Sequence, residues 1–278
     1  MSRALKLNIA GLVTMGVVAL VVTSLVYPVH TAIGLEFDGA PGVSSAERLI
    51  GVGFWIVVSL FASALPVQMP RGILVAVSIA PIVAAMNLGG PAAAALVALF
   101  GTTEVRELRG RIPWYGTLSN HAGVLIPADV AGVVLEALRT LATGLPADLV
   151  ATLIGALVYF ALNLVLVSGL ITLRLGGDFR TVLLGDMRVF AANLVALTPL
   201  GWLMARMYAT EGLGWWATLL FALPLYTTRL VYQRLMEMRE MFTQTIGALA
   251  EAVDKRDPFT SKHSQRVKQI AVDIGRQM

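Results

Sequence analysis

The residues best suited to chemistry lie near the end of the 278-residue chain, in the run Asp257-Pro-Phe-Thr-Ser-Lys-His-Ser-Gln-Arg-Val267. Asp257 can cap a helix and Pro258 fits a first helical position, so the run predicts a helix that carries His263 and continues past Val267. An imidazole is a common metal ligand. One histidine cannot build a metal site, however, and a chain without cysteine offers no thiolate ligand.

The run resembles the first helix of the HD-GYP family, the metal-dependent phosphodiesterases that open cyclic di-GMP. Domains of that family commonly begin with Asp-Pro-Tyr-Thr-x-x-His-Ser-x-Arg-Val, and here Phe259 replaces the tyrosine. The matching residues are Asp257, Pro258, Thr260, His263, Ser264, Arg266 and Val267. The resemblance covers about the last thirty residues, so the family's His-Asp doublet and Gly-Tyr-Pro motif would lie beyond residue 278.

The resemblance implies an all-helical output domain in which His263 is the first metal ligand. Imidazole and carboxylate ligands from later helices would complete a site for iron or manganese, and bridging metals can generate a hydroxide that attacks a phosphodiester. We therefore expect no complete catalytic site and no cofactor in this chain. The divalent metal and cyclic di-GMP belong to the full-length protein. An active HD-GYP phosphodiesterase and a plainer HD-domain phosphohydrolase both stay open.

The composition of the chain is that of a membrane protein. Hydrophobic residues make up 57% of the sequence and charged residues only 14%, against about 25% in ordinary soluble domains. This composition predicts an all-α fold, a polytopic bundle of membrane helices in a lipid bilayer. The net charge of +4 does not require a nucleic-acid partner, and none is expected.

Eight apolar segments approach the roughly 20 residues that a helix needs to cross a bilayer. They are residues 7–27, 49–65, 72–88, 91–103, 114–138, 147–173, 189–204 and 213–227. The fourth is short, so it is either a hairpin partner of the third or a re-entrant piece shielded by protein. The run Asn87-Leu-Gly-Gly90 followed by Pro91 and four alanines predicts a hairpin tip where helices approach closely.

The basic residues orient these segments, because Lys and Arg concentrate in cytoplasmic loops. With the N-terminus inside, 18 of the 21 basic residues are cytoplasmic. The three on the outer side are Arg48, Arg139 and Arg206. The pattern predicts a multi-pass protein of the inner cell membrane with both termini in the cytoplasm.

Five polar residues fall within the predicted fifth to seventh spans: Asn120, His121, Asp129, Asn163 and Asn193. They could line one polar pocket for a ligand or proton, or simply hydrogen bond between helices. His121 and Asp129 are eight residues apart, about 12 Å along a helix axis, so they cannot bond directly.

After the last span the chain turns charged but keeps an apolar stripe with steps of four and three residues. The stripe consists of Val231, Leu235, Met238, Phe242, Thr245 and Leu249. Such a heptad pattern is typical of two helices that pair along a seam, and it favours a parallel homodimer. The stripe is shorter than three heptads, so a single amphipathic connector helix is the alternative.

These observations divide the chain into three parts. Residues 1–227 form a transmembrane sensor domain, 228–250 a juxtamembrane signalling helix, and 251–278 the start of an HD domain. The function they indicate is a membrane module that regulates a C-terminal output domain. The alternatives are a small-molecule transporter with a regulatory tail, which His121 and Asp129 would favour, and a passive membrane anchor.

Reporter fusions test the predicted orientation. Because the basic residues concentrate on one side, fusions after Arg111 and after Arg180 should both report the cytoplasm. Fusions near Asp38 and Glu211 should report the outside. A cytoplasmic signal at Asp38 would overturn the predicted map.

Overall fold

Helices account for nearly all of the computed structural model, which describes residues 3–35, 44–64, 67–68, 74–75, 77–175, 177–256 and 261–277. The helices are α1 (Arg3–Val26), α2 (Ser45–Ser63), α3 (Ile79–Gly101), α4 (Val105–Leu108), α5 (Trp114–Arg139), α6 (Leu145–Leu175), α7 (Phe179–Tyr208), α8 (Ala217–Arg256) and α9 (Ser261–Gln277). Short 3-10 helices occupy Thr31–Ile33 and Gly214–Trp216, and the two-residue strands β1 (Val67–Gln68) and β2 (Leu74–Val75) pair with each other. The predicted helical fold class is confirmed.

The chain divides into two compact units. Unit 1 comprises Met1–Pro66 and Val75–Thr227, and unit 2 comprises Val67–Leu74 and Thr228–Met278. Within unit 1, α3 packs against α2, α5 and α7, while α6 packs against α5 and α7. Most residues of α3 are buried, so this helix forms the centre of unit 1.

Local sequence signals explain where several helices begin. Ser44 and Glu47 form a capping box at the start of α2: the Glu47 backbone nitrogen donates to Ser44 Oγ at 3.2 Å, and the Ser44 nitrogen donates to Glu47 Oε2 at 2.6 Å. Asp178 caps α7 in the same way, since its carboxylate accepts from the backbone nitrogen of Thr181 at 3.0 Å. These caps satisfy backbone donors that have no partner within the helix.

Helix α3 breaks at Gly90, which has φ 78° and ψ −167°, a conformation that an L side chain rarely adopts. A Cβ added to Gly89 would lie only 2.5 Å from the Cβ of Ala93. On a continuous helix, residues four apart have Cβ atoms about 5–6 Å from each other. The two halves of α3 therefore fold back on each other at this point, with Pro91 opening the second half.

The tip of this hairpin lies level with the ends of α5 and α7. Asp148 of α6 accepts hydrogen bonds from Arg139, the last residue of α5, and from Arg206 near the end of α7. Arg139 also donates to Asn87, three residues before the break in α3.

Both halves of α3 extend away from the level of the hairpin tip. The first half packs beside α7, where a Cβ on Gly201 would lie 2.6 Å from the carbonyl oxygen of Ala80. In the second half, the carbonyl oxygen of Leu99 bonds to His121, which lies roughly 27 Å before the end of α5. The predicted hairpin around Gly90 is therefore present.

Among the residues that the structure describes, five helices are long and apolar enough to cross a membrane: α1, α2, α3, α5 and α6. Each half of α3 is only about 16 Å long, roughly half of the hydrocarbon thickness. The predicted third span, 72–88, is wrong at its start, because Leu74–Val75 form a strand and the helix begins at Ile79. The count of eight spans stays a prediction.

A glycine on α5 allows the hairpin to pack closely. A Cβ at Gly132 would lie 2.5 Å from the Cα of Pro91, which is backbone and cannot rotate away. Gly132→Ala should therefore lower the thermal stability of the protein in detergent by about 1–3 kcal/mol, the usual cost of overpacking. The change would be followed by circular dichroism during heating.

Gly123 provides the matched control, because it is buried on the same helix but an added Cβ would meet no atom within 4 Å. Gly123→Ala should leave stability unchanged or raise it by roughly 0.5–1 kcal/mol through helix propensity. Equal effects of the two substitutions would contradict the close approach of α3 to α5.

Candidate functional site

Unit 1 contains two clusters of polar side chains, and the helices around α3 position both of them. The hairpin-tip cluster consists of His30, Asn87, Glu136, Arg139, Asp148, Thr152, Trp202 and Arg206. The His121 cluster consists of Glu104, Arg106, Glu107, Asn120 and His121, together with the carbonyl of Leu99.

Asp148 is the centre of the hairpin-tip cluster. Its Oδ1 accepts from Arg139 Nε at 2.9 Å, and its Oδ2 accepts from Trp202 Nε1 at 2.7 Å and from an Arg206 Nη at 2.6 Å. The side chain of Asp148 is only 12% exposed, so these donors replace water around its charge. Charge-assisted hydrogen bonds of this length are stronger than neutral ones. One carboxylate thus joins α5, α6 and α7.

Asn87 connects the same network to the hairpin. Arg139 donates to the Asn87 side-chain oxygen at 2.8 Å and to its backbone carbonyl at 3.1 Å, and Thr152 Oγ1 donates to the same side-chain oxygen at 2.9 Å. The first half of α3 ends three residues later, where its last carbonyls lack partners within the helix. A guanidinium at a helix C-terminus also interacts favourably with the helix dipole.

His30 lies directly at the break in α3. Its backbone nitrogen donates to the carbonyl of Gly89 at 3.3 Å, and a Cβ on Gly90 would lie 3.2 Å from its ring. Its Nδ1 is 3.9 Å from Glu136 Oε1, and Glu136 also faces Arg139 at 3.4 Å. The hairpin tip is therefore enclosed by residues that can titrate or carry charge.

The His121 cluster lies at the other end of the hairpin's second half. Nε2 of His121 is 3.0 Å from Glu107 Oε2, and Nδ1 of the same ring contacts the carbonyl oxygen of Leu99. An imidazole can donate to both acceptors only when both nitrogens are protonated. Asn120 Nδ2 donates to the second Glu107 oxygen at 3.3 Å.

Two opposing effects set the pKa of Glu107. Burial raises the pKa, while the hydrogen bond and charge of His121 and the hydrogen bonds from Asn120 and the Glu104 backbone lower it. The lowering effects are larger in sum, so the pKa of Glu107 lies below its ordinary value. The carboxylate is therefore ionised at neutral pH although its side chain is only 3% exposed.

The five polar residues predicted from the sequence do not all meet in one pocket. Asn120 and His121 both contact Glu107, whereas Asn163 Nδ2 donates to the backbone carbonyl of Gly123 at 3.0 Å.

Asp129 is 1% exposed and lies beside Thr23 of α1, and its Oδ1 has no hydrogen-bond partner among the described residues. The side chain of Asn193 lies outside the described residues.

The stripe predicted as a dimer seam is exposed along α8 in unit 2. Its apolar members Val231, Leu235, Met238, Phe242 and Leu249 are between 44% and 67% exposed, and Thr245 is exposed as well.

The HD-GYP signature lies partly outside the described residues. This is true of Asp257, Pro258 and Thr260, and of the side chains of His263 and Ser264 on α9, while Arg266 and Val267 are exposed on that helix. Among the described residues no three His, Asp or Glu side chains are grouped closely enough to hold a metal ion. His263 as a ligand stays a prediction.

Sequence reasoning missed Glu107, Arg139 and Asp148 as members of a site. Arg139 was assigned only to the outer side, after the end of the fifth predicted span, and Asp148 falls at the start of the sixth. A basic and an acidic residue nine positions apart can face each other when they lie on either side of the turn between two helices. This spacing is the sequence signal from which the pair of Arg139 and Asp148 could have been predicted. Glu107 carried no such signal, because its partner His121 comes close only through the path of the chain around Gly110.

A family model described as MASE9 matches residues 46–240 of the chain. The matched segment begins in α2 and ends within α8, so it includes α3, α5, α6 and α7 and every member of the two polar clusters except His30. No curated protein and no solved structure matches the chain.

Removal of the charge on Asp148 tests the hairpin-tip cluster. Asp148→Asn leaves the guanidinium groups of Arg139 and Arg206 without their carboxylate, and hydrogen bonds to charged groups contribute about 1.5–3 kcal/mol each. The thermal unfolding midpoint of the purified protein should fall by several degrees. Glu211→Gln, at an exposed position, removes the same charge as a control and should leave the midpoint within error. Equal midpoints for the two variants would show that the cluster does not hold the helices together.

Proposed function

Because the chain belongs to the MASE9 family of membrane-associated sensors, we propose that it senses a signal at the membrane and transmits it to a C-terminal output domain. The output domain that we propose is an HD-GYP-type phosphodiesterase for cyclic di-GMP. The module itself carries out no hydrolysis in this proposal. It holds the output domain at the membrane and controls its rate.

The observation that carries the proposal is the extent of the family match. Residues 46–240 include the helices around α3 and also the first part of α8 beyond Thr227, where unit 2 resumes. The family segment therefore ends neither at the last apolar residue nor at the unit boundary. A passive anchor would need only the apolar helices, and a transporter would need no exposed helix of this kind. The match therefore favours a sensor over both alternatives.

The hairpin-tip cluster is the part of unit 1 that we propose receives the signal. The predicted topology places it on the outer side of the membrane. It contains charged groups from three helices and one histidine, and Trp202 and Arg206 connect it directly to α7. Since α7 leads through one 3-10 helix into α8, a change in these bonds alters the helix that precedes the output domain.

The exposed stripe on α8 supports a homodimer as the transmitting form. Apolar side chains that are half exposed along one helix face are stabilised when a second copy covers them. In this proposal the signal changes the register or rotation of the paired α8 helices. The dimer would sit in the inner membrane with both termini in the cytoplasm, as the distribution of basic residues predicts.

The run Asp257 to Val267 supports the identity of the output domain. Its resemblance to the opening helix of HD-GYP domains makes His263 the first ligand of a divalent metal, iron or manganese. The remaining ligands and the cyclic di-GMP site would come from residues beyond 278, so the proposal concerns the full-length protein. The metal's role would be to supply a hydroxide for attack on the phosphodiester.

Hydrolysis by the full-length protein tests the proposal. The protein should hydrolyse cyclic di-GMP when manganese or ferrous iron is added, and His263→Ala should cut the rate at least about tenfold, because the loss of a ligand disturbs both metal affinity and the bound hydroxide. Asp148→Asn should change the rate in membranes without changing the metal content. Rates and metal content would be measured on the same samples.

Gln269→Ala is the control for His263→Ala, since Gln269 is exposed on the same helix and lies outside the signature. It should retain full activity. Full activity and full metal content in His263→Ala would refute the assignment of the output domain. An unchanged rate in Asp148→Asn would refute the role of the hairpin-tip cluster in signalling.

A further inference from the structure

A cavity of about 660 Å³ lies beside the His121 cluster, at the start of α5. Its walls are mostly apolar and include Ile112, Pro113, Trp114 and Leu118, with Thr117 on the same helix. A volume of this size is in the range of pockets that hold small organic molecules. The cavity opens to the surface of unit 1.

The cavity lies at the segment that connects two apolar helices, the second half of α3 and α5. Trp114 is 74% exposed and packs edge-on against Tyr115, with 6.0 Å between the ring centroids. Leu108 is 79% exposed in the same connection. Exposed tryptophan and tyrosine at the end of a membrane helix are typical of the level of the lipid headgroups. The cavity therefore faces the surface of the bilayer.

Three arginines follow one another in this connection, and two of them are free to bind an anion. Arg106 pairs with Glu104 at 2.7 Å. Arg109 and Arg111 are exposed and have no ion-pair partner among the described residues. Guanidinium groups bind phosphate through paired hydrogen bonds, and basic residues at a membrane surface attract anionic lipids.

The acidic residue in the cavity wall does not oppose an anion. Glu107 lines the cavity, but both of its carboxylate oxygens accept hydrogen bonds from α5, one from Asn120 and one from His121. Its side chain is 3% exposed, so its charge is compensated inside the protein. The exposed charges nearest to the cavity along the chain are those of Arg109 and Arg111, which flank the lining residue Gly110.

From these contacts we propose that the cavity and the two arginines bind one anionic phospholipid. The acyl chain lies against Ile112, Trp114 and Leu118, and the phosphate is held by Arg109 and Arg111. The binding site requires only that unit 1 is embedded in a membrane, and it does not depend on the identity of the output domain. A bound lipid would fix the connection between α3 and α5, and with it the position of Glu107 next to His121.

Lipid retention by the full 278-residue chain tests this site. The protein is purified in detergent, incubated with equal amounts of phosphatidylglycerol and phosphatidylcholine of the same acyl chains, and analysed by native mass spectrometry. The wild type should retain one phosphatidylglycerol in preference to phosphatidylcholine. The double substitution Arg109→Ala and Arg111→Ala should weaken this retention by roughly 20-fold, since each basic residue near an anionic surface contributes a factor of about five.

Two further variants separate the site from general effects of charge and folding. Arg174→Ala with Arg180→Ala removes two other exposed arginines that do not line the cavity, and retention should stay unchanged. Thr117→Trp fills the cavity and keeps both arginines, and it should reduce retention at least about fivefold while the circular dichroism spectrum stays that of the wild type.

A competition arm distinguishes a lipid from a free anion. Millimolar inorganic phosphate or glycerol phosphate should leave phosphatidylglycerol bound, because neither fills the apolar cavity. Displacement by free phosphate, equal retention of phosphatidylcholine, or equal losses in the two double-arginine variants would each overturn the lipid site.

Discussion

A broken helix inside an apolar interior exposes backbone carbonyls that must find donors, and the rest of unit 1 depends on how α3 meets this requirement. In lipid, an unsatisfied backbone group costs several kcal/mol, so helix breaks survive only where protein groups replace the lost bonds. Here Arg139 donates to the carbonyl of Asn87 and the His30 nitrogen donates to that of Gly89. One of the two donors, Arg139, brings a positive charge to the hairpin tip.

A guanidinium that is partly buried at the tip is stabilised by a counter-charge, and the pairing joins the neighbouring helices. Asp148 supplies the charge from α6 and gains two more donors from α7. Removing one partner from a buried ion pair is far more costly than never forming the pair. Arg139, which bonds to the hairpin's backbone, and its partner Asp148 thus connect α5, α6 and α7. Through Trp202 and Arg206 the same network reaches α7, the long helix that precedes α8.

Small residues are the second requirement of the hairpin. Gly89 meets Ala93 across the turn, and Gly132 and Gly201 let α5 and α7 approach its backbone. At Gly132 and Gly201 an added Cβ would meet the backbone of α3, so these contacts cannot be relieved by rotating a side chain. The polar tip of the hairpin is thus in direct contact with a closely packed centre. This property suits a membrane sensor.

Much of this architecture follows from sequence alone. Apolar runs with few charges predict membrane helices, and Asn87 to Pro91 predict a hairpin, because two glycines followed directly by a proline favour a break in a helix. The exposed stripe from Val231 to Leu249 follows from its spacing. His263 lies on α9 as predicted, while the predicted cap at Asp257 and Pro258 lies outside the described residues.

The tertiary structure alone decided which polar residues meet. Asn120, His121 and Asp129 lie in one apolar segment, yet the first two contact Glu107 and Asp129 lies beside Thr23, because the rotation of a helix about its axis is fixed by packing and not by composition. Asp148 and Asn87 lie in different hydrophobic segments and are joined through Arg139 and Thr152. The strand at Leu74–Val75 could not be distinguished from a helix by its apolar sequence, because the strand depends on pairing with β1, a contact between two segments. The periodicity of apolar residues predicts which face of a helix or strand is buried. Which group each buried side chain contacts is determined only by the tertiary packing.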